Sequence, residues 1–549
     1  MPPTLPPTPT PTATPLPLTG HHLTLPAIVA VARARPGAPR PVLAPAAVER
    51  MAASVALKED WLARGIPLYG ITTGFGDSVS RQISADRAAA LQRNLVTYHL
   101  NGTGPTAAPE VARAVQLIRA NCLGRGPSAI RPVVIETLLR HLDADILPLI
   151  PERGSLGASG DLVPLCYLAY ALLGEGEVLH RGRVRPAAEA LAEEGIDPVV
   201  LTAKEGLALI NGTAFTSAFA VLAAHDAAEL AAAADIATAF AVEALRGNVS
   251  HYHPFLHRQK PHSGQITSAA TIRALLDGSD LVTDYEGILG RQELLGERGF
   301  LTHEHRIQDP YSLRCAPHVN GVLRDTLDWV RPWLETEVNS STDNPLFDTG
   351  EGLLHHGGNF YAGHVGQAMD GLKTAVANLA DLLDRQLALV VDPKFNRGLP
   401  PNLIAPTADT DHQAGLHHGF KGMQIAASAI TAEALKTATP ASLFSRSTEA
   451  HNQDKVSMGT IAARDARTVV ELAREVTAIH LLALAQAVEL RGLRQAAPTL
   501  QKVHGLIREH APFTDRDRRM DGDIAAVAGL VRDGSLRRAA GLPEPFATG

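Results

Sequence analysis

The chain has 549 residues, of which 45% are hydrophobic and 19% charged, a composition typical of a folded globular protein. Its formal net charge is −7, and no run of Lys or Arg creates the concentrated basic surface that binding to nucleic acid or an anionic membrane requires. The three cysteines, Cys122, Cys166 and Cys315, are far apart in the sequence. They exclude a disulfide framework and favour a cytoplasmic location.

The N-terminal stretch, residues 1–20, consists mainly of Pro and Thr. It has neither the basic start nor the apolar centre of a signal peptide, so we expect a disordered, polyproline-like tail. Residues 21–212 follow and are interrupted repeatedly by Gly and Pro. This pattern predicts an N-terminal domain of short helices and compact loops.

The rest of the chain contains long stretches of good helix formers, at residues 214–246, 365–391, 419–437 and 456–489. The first of these is rich in Ala, but its acidic side chains are too frequent for a membrane span. Long helices need long partners to bury their apolar faces, so residues 213–549 are predicted to form a central and C-terminal helical bundle. The fold class is therefore mainly α. Because Ala-rich helices bury little apolar area, we also expect a homo-oligomer.

Four segments are dense in polar side chains, three of them with glycine as well, and are candidates for chemistry, at residues 69–77, 154–162, 308–317 and 357–361. The second contains Ala158, Ser159 and Gly160. In a tightly bent backbone the Gly160 nitrogen can attack the Ala158 carbonyl carbon, because glycine has no Cβ to prevent the approach. Loss of water, including the Ser159 hydroxyl, then leaves an electrophilic methylidene-imidazolone.

The motifs in and around these segments occur in one order along the chain: YGITTGFGD, GSLGASGDL, EGLALINGT, QDPYSLRC, EVNSSTDNP, GGNF and NQDKVSMG. Together they resemble the histidine, phenylalanine and tyrosine ammonia-lyases and the related 2,3-aminomutases. The resemblance extends from Leu68 to about Arg464. It implies a histidine ammonia-lyase-like fold, with the prosthetic group carried by the N-terminal domain and followed by a long-helix bundle. It also implies homotetramers whose active sites draw residues from three chains.

The resemblance assigns roles to individual residues. Ala158, Ser159 and Gly160 become the methylidene-imidazolone (MIO), with no external cofactor and no metal. Tyr69 is the base that removes the β-proton, and its glycine-rich surroundings indicate a lid that excludes water. The implied product is an α,β-unsaturated acid plus ammonia.

Further roles concern substrate binding. Arg314 corresponds to the residue that binds the substrate carboxylate with both arms of its guanidinium. Tyr311, three residues earlier, shares a helical face with Arg314 and is a second catalytic tyrosine. Asn211 corresponds to the asparagine that hydrogen-bonds the prosthetic group and the carboxylate. Other pocket positions of the family are matched by Gln308, Phe360 and Glu433.

Substrate choice is governed in this family by two positions that are Tyr98 and His99 here. The pair matches none of the usual phenylalanine, tyrosine or histidine types. Polar groups around the ring pocket favour a ring with a hydrogen-bonding substituent. Because Tyr98 crowds the space beside a small imidazole, the sequence favours L-tyrosine, giving p-coumarate. Phenylalanine to cinnamate, histidine to urocanate and 2,3-aminomutase activity remain alternatives.

The sequence leaves two alternatives from other classes of protein: a helical scaffold with an inert triad and a metal-dependent hydrolase. The latter is suggested by closely spaced histidines, at positions 251 and 253, 303 and 305, 355 and 356, and 417 and 418. None of these has the HExxH spacing of a zinc hydrolase, and no cysteine cluster accompanies them. Metal catalysis is therefore not expected.

Overall fold

The computed structural model describes residues 14–289, 297–300, 307–405, 408 and 410–546. The chain divides into two compact units. The first comprises Met1–Leu222, Pro332–Met369 and Pro440–Arg464, and the second comprises Ala223–Arg331, Asp370–Thr439 and Asp465–Gly549. The division at residue 212 stays a prediction, and each compact unit draws on three separate segments of the chain. Local composition predicts where helices lie along the chain, but it does not predict which helices pack together.

Most of the described chain is helical, which confirms the mainly α class. The first ten helices are α1 Leu25–Ala32, α2 Pro45–Ala63, α3 Ala88–Tyr98, α4 Pro109–Leu123, α5 Pro132–Asp143, α6 Leu162–Leu172, α7 Ala187–Glu193, α8 Glu205–Ile210, α9 Ala214–Ala244 and α10 Pro254–Arg258. The following ten are α11 Ser263–Leu275, α12 Tyr285–Leu289, α13 Tyr311–Arg314, α14 Ala316–Val338, α15 Gly363–Val391, α16 Lys421–Thr437, α17 Gly459–Arg491, α18 Pro498–His510, α19 Asp521–Arg532 and α20 Ser535–Ala539.

The described strands are short and form small separate sheets. They are β1 Pro15–Leu18, β2 Arg40–Leu43, β3 Thr103–Thr106, β4 Ile146–Pro148, β5 Pro151–Arg153, β6 Glu177–His180, β7 Arg183–Pro186, β8 Leu346–Asp348 and β9 Leu353–His355. Strand β1 pairs in parallel with β2, while β3–β5, β4–β6–β7 and β8–β9 are antiparallel. The segment that follows β5 and precedes α6 carries the Ala-Ser-Gly triad.

Strand β1 corrects the expectation that residues 1–20 form a disordered tail. The Arg40 amide donates to the Thr14 carbonyl at 2.8 Å, and the Ala44 amide donates to the Leu18 carbonyl at 3.1 Å. Leu18 is also buried. Proline cannot donate to a neighbouring strand, but these bonds use carbonyl groups of the first strand. Residues 1–13 lie outside the described residues.

The four long helices predicted from the sequence are confirmed as α9, α15, α16 and α17. The 23-residue helix α14 was not predicted, because Pro332 interrupts its pattern. Its buried side chains Leu323, Leu327, Val330 and Leu334 recur at helical spacing and were the available signal. Within the described part of the chain, no helix is both long enough and apolar enough to cross a membrane.

Buried acidic side chains on α9 have partners of their own. Asp235 accepts hydrogen bonds from Ser268 Oγ at 2.5 Å and Asn320 Nδ2 at 2.7 Å, and it pairs with Arg324 at 2.6 Å. Glu229 pairs with Arg537 at 2.8 Å. A buried carboxylate is tolerated when it is paired and hydrogen-bonded in this way. These charges therefore belong to the interior of the second unit.

Candidate active site

The triad loop is anchored by Asp161, the residue that follows Gly160. The Asp161 carboxylate is fully buried and accepts hydrogen bonds from the Thr216 amide (2.8 Å), Thr216 Oγ1 (2.8 Å), Thr460 Oγ1 (2.7 Å) and Ser155 Oγ (3.1 Å). Burial raises the pKa of Asp161, and the four hydrogen bonds oppose that rise. This network ties three separate parts of the first unit to the end of the triad.

Gly160 occupies a position where only glycine fits. Its φ is +73°, and a Cβ there would lie 2.3 Å from the Gly212 carbonyl oxygen. The next amide, of Asp161, donates to that same oxygen at 2.7 Å. The backbone at the triad is therefore sharply bent and leaves no room for a side chain at the third position. Ring closure from the residue-160 nitrogen also requires a third residue without a side chain, because a Cβ would hinder the approach.

Two amide side chains hold Ser159. Asn211 Nδ2 donates to the Ser159 carbonyl at 2.8 Å, and Gln453 Nε2 donates to Ser159 Oγ at 3.0 Å. Asn211 Oδ1 is buried and accepts no hydrogen bond from any residue that the structure describes. The bent backbone, the Asn211 donor and this open acceptor fit a methylidene-imidazolone formed at residues 158–160, whereas the Gln453 bond is to the hydroxyl that ring formation removes. Gln453 was missed by sequence reasoning, although its motif, NQDKVSMG, had been recognised.

Asn211 is itself held by a buried guanidinium. Arg119 is fully buried on α4, and its Nε donates to the Leu209 carbonyl at 3.1 Å while Nη2 donates to the Asn211 carbonyl at 2.7 Å. It also bonds to the Ala208 carbonyl. These carbonyls lie at the end of α8, where a helix leaves acceptors unpaired. Arg119 therefore fixes the direction in which Asn211 leaves the helix, a role with no sequence motif.

Tyr69 lies in a half-buried loop with several fixed contacts. The Gly76 amide donates to the Tyr69 hydroxyl oxygen at 2.9 Å, so the proton of the phenol is not used in that bond. The His356 ring meets the Tyr69 ring edge to face, with centroids 5.8 Å apart. Glu449 accepts from the Asp77 amide at 3.0 Å. The loop that carries the expected base is thus tied to two distant segments of the first unit.

Tyr98 and His99 end helix α3 and stack, with ring centroids 4.3 Å apart. His99 Nδ1 lies 2.9 Å from the Leu95 carbonyl oxygen. Because a carbonyl only accepts, Nδ1 carries the proton and Nε2 is left as an acceptor. Burial lowers the pKa of His99, which favours this neutral form. Tyr98 is 55% exposed in the single chain.

Tyr311 and Arg314 lie together in the second unit, at the two ends of α13. The Arg314 guanidinium carbon is 4.4 Å from the centre of the Tyr311 ring, a cation–π contact. Arg314 Nε donates to the Asp309 carbonyl at 3.1 Å. Among the described residues, no hydrogen bond occupies its two terminal nitrogens. The expected pairing of these two side chains is therefore present, with the outer edge of the guanidinium available.

The remaining expected pocket residues form no hydrogen bond with another site residue in the described part of the chain. Phe360 is half-buried in the turn before α15, in the first unit. Gln308 is exposed just before α13, and Glu433 is exposed on α16, both in the second unit. The structure thus groups Ser159 with its amide partners, Tyr98 with His99, and Tyr311 with Arg314.

The structure gives little support to the alternative that the protein is a metal-dependent hydrolase. Two described groups of side chains could each surround an ion: His180 with Glu193 and Glu194, and Asp348 with Glu351 and His355. In the first group both carboxylates are already paired with arginines. Of the closely spaced histidines noted in the sequence, only His355 belongs to either group. Residues 303 and 305 lie outside the described residues.

Comparisons with known proteins identify the class of enzyme. A family model described as "Aromatic amino acid lyase" matches residues 23–509. Tyrosine ammonia-lyase from Cupriavidus metallidurans is 42% identical over 531 residues, covering 94% of this chain and 96% of that protein. Histidine ammonia-lyase from Anaeromyxobacter sp. (strain K) is 42% identical over 527 residues, covering 94% and 99%. The crystal structure of tyrosine aminomutase from Streptomyces globisporus superimposes with a TM-score of 0.90 at 37% identity, covering 97% and 100% of the two chains.

The site and these similarities define a carbon–nitrogen lyase. The chain belongs to the aromatic amino acid lyase family, which uses the autocatalytic MIO group. The sequence-based recognition of the family is therefore confirmed. The relatives act, by their names, on different amino acids, so the family alone does not select the substrate.

Proposed function

We propose that this enzyme eliminates ammonia from L-tyrosine and releases p-coumarate. The observation that carries the proposal is the fixed tautomer of His99, whose Nδ1 is committed to the Leu95 carbonyl and whose Nε2 is an acceptor. The phenol hydroxyl of tyrosine can donate to this nitrogen, whereas phenylalanine has no donor on its ring. His99 is half-buried in the single chain, and leaving its acceptor unpaired once the substrate covers it costs about 1–3 kcal/mol, which favours the hydroxylated ring. Two relatives named for tyrosine are 42% and 41% identical to this chain.

The residues of the chain divide the chemistry between them. The MIO at residues 158–160 supplies an electrophile for the substrate amine, which thereby becomes a better leaving group. Asn211 holds the residue-159 carbonyl from one side. Tyr69 removes the β-proton at its phenol oxygen, which the Gly76 amide keeps in place. Arg314 binds the substrate carboxylate through its two terminal nitrogens, supported by the Tyr311 ring.

We further propose that the enzyme is a cytoplasmic homotetramer with active sites shared between chains. The exposure of site residues in the single chain supports this: Tyr311 is 72% exposed, and no hydrogen bond from a described residue occupies the two terminal nitrogens of Arg314. Catalytic groups normally work where water is excluded, so a second chain is the natural cover for them. Light scattering of the purified protein should therefore give about four times the chain mass of 58.1 kDa. A monomeric mass would contradict the proposal.

Histidine is the second candidate substrate, because an imidazole N–H can also donate to His99 Nε2 and histidine ammonia-lyases are among the relatives. A tyrosine 2,3-aminomutase is the third, because such an enzyme has the same fold at a TM-score of 0.90. Phenylalanine lacks the ring donor and ranks below both. Chromatography that detects β-tyrosine beside p-coumarate would identify the aminomutase.

The central experiment compares initial rates with tyrosine, phenylalanine and histidine, followed by the ultraviolet absorbance of the unsaturated acids. We expect kcat/KM to be highest for tyrosine. A higher value for histidine would overturn the substrate proposal while leaving the family intact. Ser159→Ala is the control, and it should be inactive. Its intact mass should also lack the deficit of about 36 Da, two waters, that ring formation gives the active enzyme.

A further inference from the structure

Helix α13 is too short to fix its own direction. It contains four residues, Tyr311–Arg314, and a helix of one turn has little stability of its own. Yet it carries both of the site residues that lie together in the second unit. Side chains from elsewhere in that unit bond directly to its backbone. The Ser312 carbonyl accepts from Gln386 Nε2 at 2.9 Å, and the Leu313 carbonyl accepts from the Tyr252 hydroxyl at 2.8 Å.

The Gln386 amide is fully engaged. Gln386 is completely buried on α15, and its second Nε2 proton is donated to Thr238 Oγ1 at 3.1 Å. Its Oε1 lies 3.1 Å from His480 Nε2 on α17. The Ser312 carbonyl only accepts, so the amide nitrogen must face α13 and the amide oxygen must face His480. His480 Nε2 therefore carries a proton and fixes which way the amide points.

His480 is suited to this single task. It is completely buried, and burial lowers its pKa to about 3, so the ring is neutral at working pH. No hydrogen bond reaches its Nδ1 from the described residues, which leaves the proton on Nε2. The chain of contacts thus runs from His480 through Gln386 to the backbone of α13. The bonds of Gln386 to His480 and Thr238 are buried, and its bond to the Ser312 carbonyl is partly buried.

We propose that Gln386 and His480, together with Tyr252, are positioning residues that set the orientation of α13 and so aim Arg314 and Tyr311 at the substrate. The inference rests on the proposed role of Arg314 in carboxylate binding. The Arg314 and Tyr311 side chains stack on each other, so a small rotation of the four-residue helix displaces both. Misplacement of a binding group by about 1 Å is enough to cost on the order of 100-fold in rate.

The test pairs Gln386→Leu with a matched control, Gln486→Leu. Gln486 is also completely buried in the second unit, where it donates to the Leu403 carbonyl at 2.9 Å and the Thr514 carbonyl at 2.7 Å. Both substitutions remove a buried amide that joins backbone segments, and both should lower Tm. Only Gln386→Leu should raise KM for the amino acid, by about 10-fold or more. An equal change in KM for both variants would overturn the proposal.

Gln386→Glu provides a readout that a purely structural role does not move. A buried carboxyl group has a raised pKa, and its protonated form can donate to the Ser312 carbonyl whereas its ionised form cannot. KM of this variant should therefore be close to that of the wild type at low pH and should rise as pH increases. The wild type and Gln486→Glu should not show this additional rise. A pH-independent KM ratio to the wild type would count against positioning.

Two more variants separate the possible failures. Arg314→Leu tests the proposed function itself: if it leaves KM unchanged, the carboxylate role fails whatever the Gln386 result. If Arg314→Leu raises KM and Gln386→Leu does not, only the positioning inference fails. Tyr252→Phe removes a single oxygen and covers the case in which Gln386→Leu does not fold. It should raise KM in the same direction, with the mass deficit of the prosthetic group unchanged.

Discussion

His99 shows how one hydrogen bond can define a chemical preference. The ring gives its only proton to the Leu95 carbonyl, so the nitrogen that remains can accept but cannot donate. His99→Leu keeps a side chain of similar bulk and removes this acceptor. We expect kcat/KM for tyrosine to fall by about 10- to 100-fold, and the value for phenylalanine to stay level or rise. Competition assays with both substrates measure the ratio. A parallel loss for both amino acids would point to damage of the pocket instead.

The pKa of His99 sets the pH range in which its Nε2 is an acceptor. Burial holds the pKa of His99 below 6.5, so Nε2 is unprotonated at neutral pH and remains an acceptor as the pH falls to that value. Below its lowered pKa the ring gains a proton, and Nε2 becomes a donor. The ratio of kcat/KM for tyrosine to that for phenylalanine should therefore be constant from neutral pH down to 6.5. Below the lowered pKa the bond reverses, because the phenol oxygen can accept from the protonated Nε2. A ratio that changes between neutral pH and 6.5 would contradict this assignment.

The family resemblance assigned Asn211 to the prosthetic group 52 positions away, but the residues alone predicted only contacts between neighbours in sequence. The three-residue spacing of Tyr311 and Arg314 placed them on one helical face, and the two side chains do stack. Gln453 and Ser159 are 294 positions apart, and Arg119 and Asn211 are 92 apart. Such pairs come into contact only when the whole unit folds. Neither the periodicity nor the composition of the sequence indicates which two loops will pack against each other.

At the scale of elements, the sequence predicted helices correctly where residues of high helix propensity are not interrupted by proline. Helix α15 begins at Gly363 and ends at Val391, within two residues of the expected limits. Helix α14 was not predicted because Pro332 breaks the sequence pattern, although buried side chains continue at helical spacing on both sides of this proline. Strand β1 was not predicted because two of its four residues are proline, yet the bonds to β2 are accepted by the carbonyls of Thr14 and Leu18 and need no proline N–H.

The bend between β5 and α6 is an element-scale feature that a single methyl group can test. Gly160→Ala places a Cβ 2.3 Å from the Gly212 carbonyl oxygen and also strains a backbone with positive φ. We expect the variant to lack the mass deficit of about 36 Da and to be inactive, because the bend needed for ring closure is lost. Intact-mass spectrometry measures this directly.

Gly195→Ala is the matched control for that variant. Gly195 also has a positive φ, +61°, but no atom lies within 4 Å of the position its Cβ would take. It therefore reproduces the backbone strain, about 1–2 kcal/mol, without the collision. The control should be somewhat less stable and fully cyclised. Ring formation in Gly160→Ala at the wild-type level would show that the bend tolerates a side chain.

The whole molecule buries ionisable groups whose effects on stability oppose each other. Burial lowers the pKa of His141 to about 4 and raises the pKa of Glu337 and Glu243 to about 7. Below pH 6.5 an unfolded chain protonates its histidines while folded His141 stays neutral, so stability is lost as the pH falls. The two glutamates act in the other direction, because unfolding lets them ionise above pH 4.5. Between these limits the contributions partly cancel, so the pH profile of the wild type alone is not informative.

A variant isolates the histidine contribution. His141→Leu removes the buried imidazole, whose Nε2 has no hydrogen-bond partner among the described residues. Between pH 6.5 and about 4 the free energy of unfolding of the wild type should decline relative to the variant by up to about 1.4 kcal/mol per pH unit. Urea midpoints at several pH values measure the difference. If the His141→Leu and wild-type profiles stay parallel through this range, folded His141 takes up its proton at the same pH as an unfolded histidine, and the burial seen in α5 does not govern its titration.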